Sequence, residues 1–156
     1  MRAAVLTVSD GVVAGAREDT SGSVLEERLR NGGYEVQRRT VPDERPLIVA
    51  ALRELSAEAD LVLTTGGTGF APRDVTPEAT VEVVDRRTPG LDEAMRAVSM
   101  QASPHGMLSR QSSGIAGRSL IVNMPGSPRA CAECYDVIAP ALGHGLALML
   151  EQPTEH

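Results

Sequence analysis

The stretch Thr64-Thr65-Gly66-Gly67-Thr68-Gly69 places three glycines within four positions. Such a run lets the backbone turn sharply, approach a ligand closely and aim successive N–H groups at an anion. Thr65 and Thr68 add hydroxyls suited to phosphate oxygens. The same residues also suit a plain strand-to-loop turn. The run is not a dinucleotide fingerprint, because Phe70-Ala71-Pro72 follows and the third glycine of that motif is missing. Asp74 follows Gly69 by five residues and opens Asp74-Val75-Thr76-Pro77. A carboxylate there either caps the next helix or holds Mg²⁺, which shares its remaining sites with phosphates and water. Arg73 stands beside it, suited to steadying developing negative charge. Asp43, after Val41-Pro42, reads alone as a turn residue; together with Asp74 it reads as half of a two-carboxylate metal clamp. Asn123-Met124-Pro125-Gly126-Ser127-Pro128 is either a well-made helix cap or a second phosphate site, in which Gly126 allows close approach and free N–H groups receive the anion.

These loops need elements that bring them together. Ala3–Thr7 is a short continuous apolar run that reads as a buried parallel strand. Thr20, Ser21 and Ser23 are each suited to cap the helix that follows. Ser23 with Glu26 fits a capping box, and Gly32-Gly33 supplies the stop. Tyr34–Thr40 reads as a second strand, Leu47–Leu55 as a helix and Asp60–Thr65 as a third strand running into the glycines. Thr76-Pro77 opens a helix through Val84, and another covers about residues 91–103. Met107–Gln111 and Ser119–Asn123 read as two strands paired around Ser113-Gly114. Ser127-Pro128 caps a closing helix that ends near Leu150, with Pro140 as a kink or break. The alternation predicts one domain over residues 1–156, a three-layer α/β sandwich with a mostly parallel sheet. Right-handed crossovers would carry Ser9-Asp10-Gly11, Val41-Pro42-Asp43, Gly66–Asp74 and Pro125–Pro128 to one rim, where such sheets bind ligands.

Composition narrows the chemistry. All fifteen basic residues are Arg, which excludes a Walker-A lysine, a Schiff base and AMP carried on a lysine. The net charge of −6 and the near absence of aromatic side chains argue against nucleic acid as a partner. The apolar N-terminal run is too short for a signal peptide, and no stretch reaches membrane-spanning length, so the expectation is a cytoplasmic protein without a membrane partner. Cys131 and Cys134 lack the further ligands a zinc site needs and read as inert, partly buried thiols. His105, His144 and His156 fit no Ser–His arrangement and read as surface or core residues.

The motifs Thr64–Gly69 and Arg73–Ala79 together resemble the signature of the Mog/MoaB family of molybdenum-cofactor biosynthesis. Thr7-Val8-Ser9-Asp10 with Asp19-Thr20-Ser21-Gly22 is similar to that family's opening. Leu108-Ser109-Arg110, Gly114–Asn123 and Met124–Pro128 resemble its closing half. The resemblance implies a Rossmann-like αβα fold, a homotrimer, and the reaction of ATP with molybdopterin to give adenylyl-molybdopterin and diphosphate. It implies that Asp43 and Asp74 hold Mg²⁺. It further implies a nucleotide site formed by Thr65, Gly66, Gly67, Thr68, Gly69 and Arg73, lined also by Pro125, with donors from Gly126 and Ser127. Ser109 and Arg110 would serve the pterin, and a downstream metal-insertion protein would be a partner. A non-catalytic pterin-binding module and a nucleotide hydrolase are the rival expectations; intact Asp43 and Asp74 favour catalysis.

Overall fold

The computed structural model describes residues 1–154. Its centre is a sheet built from β1 (Arg2–Val8), β2 (Glu35–Val41), β3 (Leu61–Thr65), β4 (Arg86–Arg87), β5 (Ser113–Ala116) and β6 (Ser119–Met124). The spatial order is β2-β1-β3-β6-β5-β4. The first three pairings are parallel and the last two antiparallel. The expected mostly parallel α/β sandwich is what forms.

The side chains of β1 and β3 alternate between two aliphatic layers, as the period of two along a strand requires. Ala3, Val5, Leu61 and Leu63 face one side. There they meet α2 (Thr20–Asn31), α5 (Pro89–Ala102) and α6 (Pro128–Met149) through Leu25, Leu29, Met95 and Ile138. Ala4, Leu6 and Val62 face the other side, against Ile48, Leu52 and Leu55 of α3 (Arg45–Glu58) and Ala79 of α4 (Thr76–Val83). The strands are apolar on both faces because helices cover both.

Four local expectations differ from what forms. Asp19 caps α2 in place of Ser23: its Oδ1 accepts the Gly22 N–H at 3.0 Å. The same carboxylate also accepts from Thr7 Oγ1 at 2.7 Å and from Arg38, tertiary partners that local pattern does not reveal. Met107–Gln111 is not a strand. Pro104–Leu108 forms a 3-10 turn instead, and the strand comes later, at Ser113–Ala116, folding back on Ser119–Met124 through Gly117 at φ 58°. The Arg110 N–H is drawn out of the sheet onto the Thr68 carbonyl at 2.9 Å. Pro140 does not break α6 into two: it lies on the exposed face, while Ile138, Leu142 and Leu146 hold the helix on the sheet. Finally, Ser9 caps an unforeseen short α1 (Asp10–Val13) by accepting the Val12 N–H at 3.2 Å.

Candidate active site

The parallel strands end level with one another. Thr7 is in register with Thr65, Thr65 with Met124, and Val8 with Val41. The loops that leave these ends therefore share one rim of the sheet, as the topology of open α/β sheets requires. Two lobes open there. The larger, about 540 Å³, is bordered by Thr68, Gly69, Ser109, Pro125 and Ser127. The smaller, about 240 Å³, is bordered by Ser9, Asp19, Asp43, Thr65 and Gly66. Gly67, Asp74 and Gly126 border both lobes, so they mark where the lobes meet.

The glycine loop is shaped by contacts that a side chain would obstruct. Gly66 and Gly67 have φ of 96° and 67°, left-handed values that favour glycine. A methyl on Gly66 would run into the Val8 carbonyl, and one on Gly67 into Thr76 Oγ1. Thr76 fastens the loop from the start of α4: its hydroxyl donates to the Gly66 carbonyl at 2.9 Å, and its N–H to the Gly67 carbonyl at 3.1 Å.

Asp43 and Asp74 both border the smaller lobe. Asp74 Oδ2 accepts the Ala71 N–H at 2.9 Å. Asp43 Oδ2 accepts the Asp10 N–H at 2.8 Å, and Asp10 Oδ1 accepts the Asp43 N–H at 3.0 Å. Burial raises the Asp43 carboxyl above its ordinary value, and repulsion from Asp10 and Asp74 adds to this against the Asp10 N–H bond. A second cause of stress on Asp43 is therefore the nearby negative charge, which a cation would relieve. Among the described residues, no group of three or more His, Cys, Asp or Glu could enclose a metal ion. Two carboxylates beside a phosphate-sized opening nonetheless fit Mg²⁺, which binds through one or two acids plus substrate phosphates and water.

Several residues expected at the substrate have polar groups already engaged. Thr65 is buried, and its hydroxyl donates to the Pro125 carbonyl at 2.6 Å, tying the glycine loop to the Pro125–Pro128 loop. The Arg73 guanidinium grips Asp10, with Nε 2.6 Å from Oδ2 and Nη2 3.0 Å from Oδ1. That bond, followed by the Asp43 N–H, holds the Asp10 carboxyl below its usual range. Arg110 lies outside both lobes. Its Nε donates to the Gly69 carbonyl at 2.7 Å, Nη2 to the Asp74 carbonyl at 2.6 Å, and Nη1 meets Glu78. Thr65 and Arg110 follow one rule, since a part-buried carbonyl needs a donor and these side chains are within reach, whereas Arg73 pairs with an exposed carboxylate. Ser127 caps α6, its Oγ accepting the Ala130 N–H at 3.1 Å, which leaves the O–H free to donate.

Other residues reach the site without having been singled out as ligands. Arg17, Thr20 and Ser21 border the smaller lobe, and Ser103, His105, Arg129 and Glu133 the larger. His105, read as a surface or core residue, is thus at the cleft. The α2 cap motif Asp19-Thr20-Ser21 carried a signal for the first group; nothing local marked the second. His156 lies outside the described residues. Cys131 and Cys134 are free and buried, as expected of inert thiols.

The fold and site define a class: an α/β sandwich whose strand-end loops bring two acids and a glycine-rich loop together between two clefts. The model of the family described as "Probable molybdopterin binding domain" matches residues 4–144, and the chain belongs to that family. It is 43% identical over 151 residues to a molybdopterin adenylyltransferase of Helicobacter pylori, covering 94% of this chain and 86% of the relative. It is 40% identical to the Escherichia coli K12 protein of the same name, covering 92% and 76%. The crystal structure of the molybdopterin biosynthesis enzyme MoaB from Thermus thermophilus superposes with a TM-score of 0.91 at 45% identity, covering 99% of each chain. The Mog protein of Mycobacterium ulcerans gives 0.90 at 37% identity, covering 95% and 98%.

Proposed function

We propose that this chain is a molybdopterin adenylyltransferase, which joins the terminal phosphate of molybdopterin to the AMP moiety of ATP and releases diphosphate. The observation that carries this reading is the junction of two lobes at Gly67, Asp74 and Gly126. A transfer between two phosphate-bearing substrates needs that geometry: each enters from its own side and the phosphates meet over shared residues. The nucleotide phosphates lie along Gly66–Gly69 beside Asp43. The pterin occupies the larger lobe, where Ser109 and the free O–H of Ser127 face it.

A molybdopterin phosphate oxygen attacks the α-phosphorus of ATP. The new P–O bond forms as the bond to diphosphate breaks in line, and diphosphate carries away the negative charge. The protein supplies position and charge balance; a side-chain nucleophile is not required. Backbone N–H groups of the glycine loop and of the α6 start orient the phosphates. Asp43 and Asp74 hold Mg²⁺, which when bound neutralises charge on the phosphates. Arg110 keeps the Gly69–Asp74 segment in place through its carbonyls. Arg73 acts through Asp10.

Incubating the purified chain with MgATP and molybdopterin tests the reading: diphosphate forms only when both are present. Pterin binding without diphosphate would assign a non-catalytic role, and diphosphate or phosphate release without pterin would assign a hydrolase. A homotrimer is proposed as the assembly, with a metal-insertion protein as the next partner. Sedimentation at the mass of a 16.5 kDa monomer at micromolar concentration would exclude the trimer.

A further inference from the structure

We infer that Asp10 and Arg73 form a latch that sets the spacing of the Asp43 and Asp74 carboxylates, making both of them positioning residues for the divalent cation. This rests on the metal-clamp reading above. The connection is a closed path. Arg73 is joined through the chain to Asp74, and its guanidinium holds both oxygens of Asp10 at 2.6 and 3.0 Å. Asp10 and Asp43 in turn exchange backbone N–H donors for carboxylate oxygens at 2.8 and 3.0 Å. Three loops leaving three different strands are thereby locked to one another around the smaller lobe.

As a source of folding stability this latch is minor. The Arg73 and Asp10 side chains are 58% and 45% exposed, and exposed ion pairs contribute little. Its effect falls on geometry. Mg²⁺ and similar ions demand near-octahedral oxygen positions at about 2.0–2.1 Å, so a drift between the two acids weakens binding even when both stay charged. Charge alone would have the opposite effect: a guanidinium next to the site repels a cation. If Arg73 favours cation binding, it must do so through position.

That opposition of signs is the test. Mn²⁺ is titrated into the protein saturated with a non-hydrolysable ATP analogue, and free Mn²⁺ is read by electron paramagnetic resonance. Arg73→Gln is expected to weaken Mn²⁺ binding about three- to tenfold, the range of one well-formed exposed pair. Arg73→Lys keeps the charge without the fork and falls between Arg73→Gln and the unaltered chain. Asp10→Asn combined with Arg73→Gln is expected to be no weaker than the weaker single variant, because the latch breaks only once. Thermal midpoints within a few degrees of the unaltered protein separate this from general unfolding. Unchanged or tighter Mn²⁺ binding in Arg73→Gln, or fully additive losses in the double variant, would overturn the latch. Asp74→Asn run alongside tests the underlying clamp: loss of Mn²⁺ there upholds it, and retained Mn²⁺ removes both readings.

Discussion

Gly69 lies so close to the Asp74 carboxylate that a methyl group on its Cα would stand 2.9 Å from Oδ2. Its φ is not among the left-handed values, unlike that of Gly67. The two glycines can therefore be told apart. Gly69→Ala is expected to displace the Asp74 carboxylate and lower turnover at least tenfold while the thermal midpoint moves by only a few degrees. Gly67→Ala should cost about 1 kcal/mol or more of stability as well, through its left-handed φ and its collision with Thr76. Diphosphate release, thermal midpoint and ATP titration on the same two proteins check this. A lowered midpoint with unchanged nucleotide affinity in both would reduce the loop to a turn.

Removing either charge of the clamp has a different signature. Asp74→Asn and Asp43→Asn keep shape and lose charge, so turnover should fall about a hundredfold or more. Folding should barely respond, since neither acid has an ion-pair partner in the structure among the described residues. Diphosphate release against thermal midpoint measures the two effects. Near-normal turnover in either variant would remove that acid from the metal site.

Arg110 makes a prediction about form and not charge. Its fork serves two carbonyls and Glu78 together, whereas a lysine ammonium at that position cannot span them. Arg110→Lys should cost about 1–3 kcal/mol, the range for leaving partly buried acceptors unmet. It should also lower turnover, because the released carbonyls belong to Gly69 and Asp74. Denaturant unfolding and steady-state kinetics test both parts; full activity would show that the segment holds its shape without the clamp.

Burial pushes the Cys131 thiol from 9.0 up to about 12. The native protein therefore retains a thiol proton that the unfolded chain gives up above about 9. Between these values the unfolded state binds fewer protons, so stability falls as pH rises. This contribution is absent below the lower value and complete above the upper one. Cys131→Ala should flatten that part of the stability–pH curve, measured as the difference from the unaltered chain. In the folded protein at pH 8 neither thiol should react with an alkylating agent; rapid labelling would contradict the burial.

Much of the fold was legible because its signals are local. Ala3–Thr7 read as a buried parallel strand from its apolar run alone, Asp60–Thr65 as a strand running into the glycines, and Thr76-Pro77 and Ser127-Pro128 announced helix starts. Once alternation implied a parallel sheet, topology carried Asp43, Gly66, Asp74 and Gly126 to one rim. The missed elements are those whose local pattern was overruled. The first hairpin strand lies at Ser113–Ala116, where Asp92 accepts the Ser113 N–H at 3.1 Å and Asn123 the Ser112 N–H at 3.1 Å. Both partners lie on other elements.

The sequence by itself determined which residue types meet at the rim: two acids, a glycine loop and a proline-flanked helix start. Order along the chain and the handedness of crossovers suffice for that. Tertiary structure alone decided what each polar side chain is doing there. The Thr65 hydroxyl serves the Pro125 carbonyl 60 residues away, Arg73 serves Asp10 across 63, and Arg110 serves Gly69 across 41. A hydrogen bond depends on positions within about 3 Å, and spacing along a chain places loops at a rim without resolving distances that small.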